Sequence, residues 1–220
     1  KIIPAHGVYH GTSFGRGFDP VTGGTPSLDN LTRDVRAFTE ATGKRPAVVE
    51  IPAVPLNGDF TFPCAQLEAL WRLYDRPIVA LLSHFLIRSW DEVDSGQPGY
   101  YSPDKILNGE FDEDFRTWAR GGVACGKPLL YSFAPGPTDP SRPWHGAYNG
   151  GEQIGPTSYR DAWEHVEEIL KQEGFYKVAT PVYGATLPRH PLEDPEWPEV
   201  NPLRQDSAYY RQDANVGFVF

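Results

Sequence analysis

Short apolar runs alternate along this chain with amphipathic stretches of helical period, and few folds accept that pattern. The runs Pro46–Ala53 (PAVVEIPA), Pro77–Phe85 (PIVALLSHF) and Pro128–Ala134 (PLLYSFA) are continuous in their apolar character, as in strands buried on both faces of a parallel sheet. His6–Gly11, Tyr176–Gly184 and Val216–Phe220 read as three further strands. Helices lie between them at the spacing of repeated βαβ units. Ser27 is placed to cap Leu28–Thr42, in which Leu28, Leu31, Val35 and Phe38 share a face and Gly43 is the stop. Cys64–Asp75 and Asp112–Cys125 are expected helices. So is Ser158–Glu173, with Asp161 as a capping-box partner and Gly174 as its stop.

Two architectures fit this order: an open doubly wound sheet or a (β/α)8 barrel. No glycine-rich phosphate turn follows the first strand, as a dinucleotide-binding sheet needs. Long loops follow strands one to five, as at the functional face of a barrel. The expectation is an α/β, TIM-barrel-like (β/α)8 fold that is incomplete, with about six strands in one domain over residues 1–220, truncated at its C-terminus. A closed barrel needs all eight strands, because open edges pair with other chains. The chain opens Lys-Ile-Ile and contains no Met. Its N-terminus is therefore expected to be processed or trimmed.

Net charge is −9 and no basic block is present, which argues against nucleic acid and anionic membranes as partners. No apolar run approaches membrane-spanning length. Cys64 and Cys125 are the two cysteines. In a barrel Cys64 opens a helix at the level where strands finish, and Cys125 closes the next helix at the level where strands begin. A twelve-residue helix separates those levels by roughly 18 Å, and a disulfide needs Cα atoms within about 7 Å. Free thiols are the expectation.

Several segments carry a family likeness. They are Lys127–Trp144 (KPLLYSFAPGPTDPSRPW), Ile106-x-x-Gly109-x-Phe111-Asp112 with Trp118-Ala119, and Tyr159-x-x-Ala162-Trp163-x-His165-Val166. Gly7-Val8-Tyr9 and the approach through Tyr209-Tyr210 to Phe220 add to them. In order and spacing these resemble the family 26 glycoside hydrolases, the clan that includes endo-β-1,4-mannanases. The resemblance implies a retaining β-mannan-type hydrolase with its glycan cleft at the strand C-terminal ends, a polysaccharide or oligosaccharide ligand, and an extracellular or periplasmic setting. It also implies a Glu acid/base after strand four, within a His-Glu pair, and a Glu nucleophile after strand seven. Retaining chemistry holds those carboxyls about 5–5.5 Å apart. Laying Phe133-Ala134 and Pro143-Trp144 onto the pattern puts Pro135 on the His, Gly136 on the acid/base Glu and Thr138 on an Asn. The proton donor is therefore missing at its usual place, and a seventh strand is expected beyond Phe220. A non-catalytic glycan-binding relative is the alternative.

Other groups compete for the chemistry. Asp139, three residues past Gly136, is a candidate acid, although a turn role in Pro-Thr-Asp-Pro is commoner. Glu50 is the other candidate, a carboxylate inside an apolar strand, where burial is costly unless it is paired or functional. His10 and His84 end strands one and three and are expected to share the mouth with Glu50. Trp90, Trp144 and Tyr148 lie in mouth loops, where rings can stack on the C–H faces of sugars. Trp71, Trp118 and Trp163 lie on helices and are expected to pack. Arg16, Arg88, Arg142 and Arg189 also fall in mouth loops. They are either solvated surface or a sign of an acidic sugar, whose carboxylate Arg binds bidentately. Gly11–Gly15 matches G-x-S-x-G around Ser13, but the helix that an esterase elbow needs does not follow. No zinc or calcium motif is present, so no metal and no cofactor are expected.

Overall fold

A computed structural model describes residues 11–12 and 24–182. Its centre is a parallel sheet of β1 (Gly11–Thr12), β2 (Val48–Ala53), β3 (Val79–His84), β4 (Leu129–Phe133) and β5 (Ala179–Pro181). The strands stand in sequential order, each hydrogen-bonded to the next. That order has no reversal, and a doubly wound sheet reverses at its switch point. Helices α1 (Leu28–Thr42), α2 (Cys64–Arg72), α3 (Pro103–Leu107), α4 (Asp112–Cys125) and α5 (Gly151–Gln172) fill the connections. The expected strand Val216–Phe220 lies outside the described residues, as does most of His6–Gly11. The expected fifth strand is shorter than Tyr176–Gly184, because Phe175–Lys177 forms a single helical turn before β5.

Local signals set several boundaries. The Ser27 hydroxyl accepts the Asn30 N–H at 3.3 Å, and Gly43 stops α1 with φ 68°, donating its N–H to Thr39 O. One expected cap is corrected. Helix α5 starts at Gly151, seven residues before Ser158, and carries Pro156 inside it. Its start is set by packing. A Cβ on Gly155 would come within 2.3 Å of Gly146 Cα, so only glycine lets the helix lie on that turn.

Side chains alternate across the sheet. Ile51, Leu82 and Tyr131 join the main core under the helices, with Trp118, Phe175 and Leu170. Leu81, Leu130 and Val182 form a smaller cluster on the other face. The main core is rich in rings. Trp118 lies 5.0 Å from Phe62 and 5.1 Å from Phe175, and Phe133 stacks on Trp163 at 4.7 Å. The helix tryptophans Trp118 and Trp163 are thus packing residues, 1% and 4% exposed.

Cys64 and Cys125 form a disulfide, with Cα atoms 5.6 Å apart, which corrects the expectation of free thiols. The error lay in the path of the chain after β2. Phe60 packs on Phe115 and Phe62 on Trp118, so the segment 60–64 descends along α4 and closes in a tight turn, with Cys64 donating its N–H to Phe62 O. The ten helical steps from Phe115 to Cys125 cover about 15 Å in the same direction. Both cysteines therefore arrive at one level, and α2 starts low instead of at the strand ends.

Candidate functional site

The loops that leave the C-terminal ends of β2, β3 and β4 converge into one surface. Asn57 donates its N–H to Arg88 O, Gly99 to Pro143 O and Asp94 to Ser141 O, so each loop is tied to another. Glu92 organises the loop after β3. Its Oε1 accepts the Arg88 and Ser89 N–H groups at 3.0 and 3.1 Å, and its Oε2 accepts the Tyr100 N–H at 2.8 Å. Ser89 and Glu92 form a capping box on one helical turn, Trp90–Glu92. Sequence reasoning passed over Glu92, yet the S-x-x-E spacing was readable. Buried Asn149 does similar work in the next loop, donating from Nδ2 to Pro143 O and His145 O, each at 2.9 Å.

Beneath these loops, β2, β3 and β4 present Glu50, Ser83 and Ser132 on the face away from the helices. Glu50 pairs in register with Leu81, and Ser83 with Ser132, so all four share that face. Ser83 donates its hydroxyl to Glu50 Oε1 at 2.5 Å. Glu50 is half-buried and has no ion pair with Arg or Lys among the described residues. It is a carboxylate held by a neutral donor on the face where a barrel keeps its interior.

His84 is not in this group, contrary to expectation. It lies three residues past Leu81, hence on the opposite face. Its ring stacks on Trp118 at 4.7 Å, edges against Phe60 and Phe115, and has Nδ1 3.0 Å from the Tyr131 hydroxyl. Burial pulls its pKa down to about 3, which keeps it neutral. His84 is a core residue. Trp144 is also corrected from ligand contact to core. It is 2% exposed, meets Phe85 at 5.0 Å edge-on, and its Nε1 finds no acceptor among the described residues. The Pro143-Trp144 run turns inward because Asn149 and Gly99 hold the Pro143 carbonyl.

Trp90 is half-buried against Phe85. Tyr148, also half-buried, donates its hydroxyl to Pro140 O at 2.8 Å and so fastens its own loop. His10, Ser13, Arg16 and Arg189 lie outside the described residues.

Asp139 occupies a turn. Its Oδ1 accepts the Ser141 N–H at 2.9 Å, and Arg142 pairs with its Oδ2 at 3.0 Å. Burial pushes this carboxyl up, but hydrogen bonds from Ser141, with Arg142 and His145, outweigh it and leave a lowered pKa. A carboxyl held ionised makes a poor proton donor. Gly136 has φ 71°, and the preceding Ala134 has φ 36°, both left-handed. The Tyr159 hydroxyl sits 3.0 Å from the carbonyls of Phe133 and Ala134 and holds this bend. Among the described residues, no three His, Cys, Asp or Glu side chains cluster as metal ligands. No described helix is long and apolar enough to cross a membrane.

No protein-family model and no curated protein sequence matches the chain. Solved structures do. The β-mannanase from a symbiotic protist of the termite Reticulitermes speratus, complexed with gluco-manno-oligosaccharide, superposes with a TM-score of 0.60 at 11% identity. The match covers 96% of this chain and 63% of that one. The GH26-CBM35 β-(1,4)-mannanase of Podospora anserina gives 0.52 at 10% identity, over 96% and 43%. The fold is mannanase-like, and the chain spans under two thirds of either neighbour.

Proposed function

We propose that this chain builds part of a (β/α)8 barrel of the family 26 type and carries a β-mannan-type glycan cleft at the C-terminal ends of β2, β3 and β4. Within that cleft it binds saccharide without the customary acid/base. The carrying observation is the mannanase-like superposition, combined with a glycine of left-handed φ at the position where the resemblance calls for the acid. Asp139 does not replace that acid, since its turn holds it ionised. The disulfide favours an oxidising compartment, in keeping with a secreted glycan-active protein.

A hydrolase is the second reading, and Glu50 supports it. Glu50 is half-buried on the face opposite the helices and is held by Ser83, which would suit a carboxyl that exchanges a proton. Calorimetry with mannotetraose, run beside an assay for reducing-end release, separates the two. Binding without release supports the glycan-binding reading. Robust release overturns it in favour of the hydrolase, and absence of both sinks the assignment.

A further inference from the structure

We infer that Arg88, Tyr100 and Lys105 form an anionic-sugar subsite on the lip of the cleft, which takes a uronate-bearing glycan. The inference rests on the glycan reading above and names the substrate class. The Arg88 guanidinium lies 4.4 Å from the Tyr100 ring centre, and Lys105 Nζ lies 4.7 Å from the same centre. One half-open tyrosine, 39% exposed, therefore holds two cations together at the surface. Neither cation has a carboxylate partner among the described residues. The carboxylate of Glu92, in the same loop, is occupied by the N–H groups of Arg88, Ser89 and Tyr100. The basic side chains beside acidic groups behave differently. Arg142 pairs with Asp139, and Arg116 and Arg120 pair with Glu173.

The platform is also rigid. Tyr101, 2% exposed, donates its hydroxyl to Pro55 O and edges against Tyr100 at 5.0 Å, while Phe111 supports Tyr100 at 5.6 Å. A Cβ on Gly99 would meet Pro143 Cβ at 2.8 Å, so glycine lets the Tyr100 segment close onto the loop after β4. Arg88 is fixed by its backbone at both ends, accepting from Asn57 and donating to Glu92. A guanidinium presented this way offers its planar fork to a carboxylate, and Lys105 adds a point charge. The aromatic edge can meet the sugar ring itself. A neutral mannan offers the two cations hydroxyl acceptors but no counter-charge.

Mannotetraose and the β-1,4-mannuronate tetrasaccharide share one backbone and differ at C6, so calorimetry with the pair isolates the carboxylate. At low ionic strength the acidic sugar is expected to bind about tenfold tighter, within the range for two exposed charge contacts. That preference is expected to fade as salt rises to about 0.5 M. In Arg88→Gln/Lys105→Gln the preference disappears, and an unchanged circular dichroism spectrum shows that the variant is folded. Arg88→Lys keeps the charge without the fork and retains part of the preference. Equal affinity for the two sugars in the unaltered protein overturns the subsite and leaves the glycan cleft standing. A preference unchanged in the double variant overturns the assignment to these residues. Binding of neither sugar overturns both.

Discussion

The His84 imidazole lies parallel to the Trp118 indole, 4.7 Å away and tilted by 20°, with Nδ1 3.0 Å from the Tyr131 hydroxyl. The ring is 1% exposed, and among the described residues no carboxylate contributes to its shift. Burial alone lowers its pKa from 6.5 to about 3. Between those values the unfolded chain binds the proton and the folded chain does not. The contribution is therefore whole above pH 6.5 and is lost as pH falls toward 3. The loss approaches 1.4 kcal/mol per pH unit for one proton, to order of magnitude. In His84→Phe the ring packing is kept and the Tyr131 hydroxyl loses its partner, at about 1–3 kcal/mol. The slope is thus the informative quantity. Urea unfolding from pH 7 to 4 is expected to show a shallower decline in the variant than in the parent, and equal slopes would contradict a buried neutral His84.

The Cys64–Cys125 bridge closes a loop of 61 residues, for which chain entropy predicts about 4 kcal/mol. Thiol titration of the denatured protein without reductant is expected to find no free thiol. With reductant it is expected to find two. Cys64→Ala/Cys125→Ala is expected to lower the unfolding midpoint strongly while the sheet persists, since Phe60 and Phe62 still anchor the descending segment. A midpoint unchanged by reduction would argue that the bridge does not form.

What could be read from residues alone was local. Ser27 and Gly43 announce both ends of α1, and the bounds of α4, Asp112–Cys125, follow from its apolar period and Gly126. Faces were harder. Glu50 and His84 both lie near strand ends, but the face each takes depends on register, and one residue of slip reverses it. The pairing Glu50↔Leu81 puts His84, three residues on, among the helices. The disulfide was hidden for a different reason. It depends on the segment before Cys64 running down alongside a helix met fifty residues later, which no local pattern announces. Trp144 was assigned to the mouth by its position in a loop, and the burial of that loop is set by Asn149, beyond the motif.

Tyr159 anchors the bend after β4 through the carbonyls of Phe133 and Ala134. Tyr159→Phe is expected to cost about 1 kcal/mol and to speed amide exchange over residues 133–136 more than in β2. Ala134 has φ 36°, a conformation that favours glycine. Ala134→Gly is therefore expected to leave the melting temperature equal or raised, although Ala→Gly in ordinary strand backbone lowers it. A clear fall would show that the bend is not strained.

Glu50 decides between the two readings of the cleft. On the proposed alignment of Gly136 with the acid, and with Asp139 held ionised in its turn, the leaving oxygen lacks a donor that ordinarily supplies about 10²–10⁴-fold. Hydrolysis of β-mannan is therefore expected to be poor or absent, and mannotetraose binding is expected to survive Glu50→Gln, which keeps the side chain's shape and can still accept from Ser83. Asp139→Asn is expected to leave any residual turnover unchanged, because that carboxylate serves Ser141 and Arg142. If turnover is found and Asp139→Asn abolishes it, the acid sits three residues along the loop and the turn opens when substrate binds. If Glu50→Gln abolishes it instead, with affinity intact, the proton comes from β2. Ser83→Ala then gives the confirming signature. The Ser83 hydroxyl holds Glu50 Oε1 at 2.5 Å, so its removal is expected to lower kcat while mannotetraose affinity stays. An unchanged kcat would separate the Ser83 contact from the proton transfer.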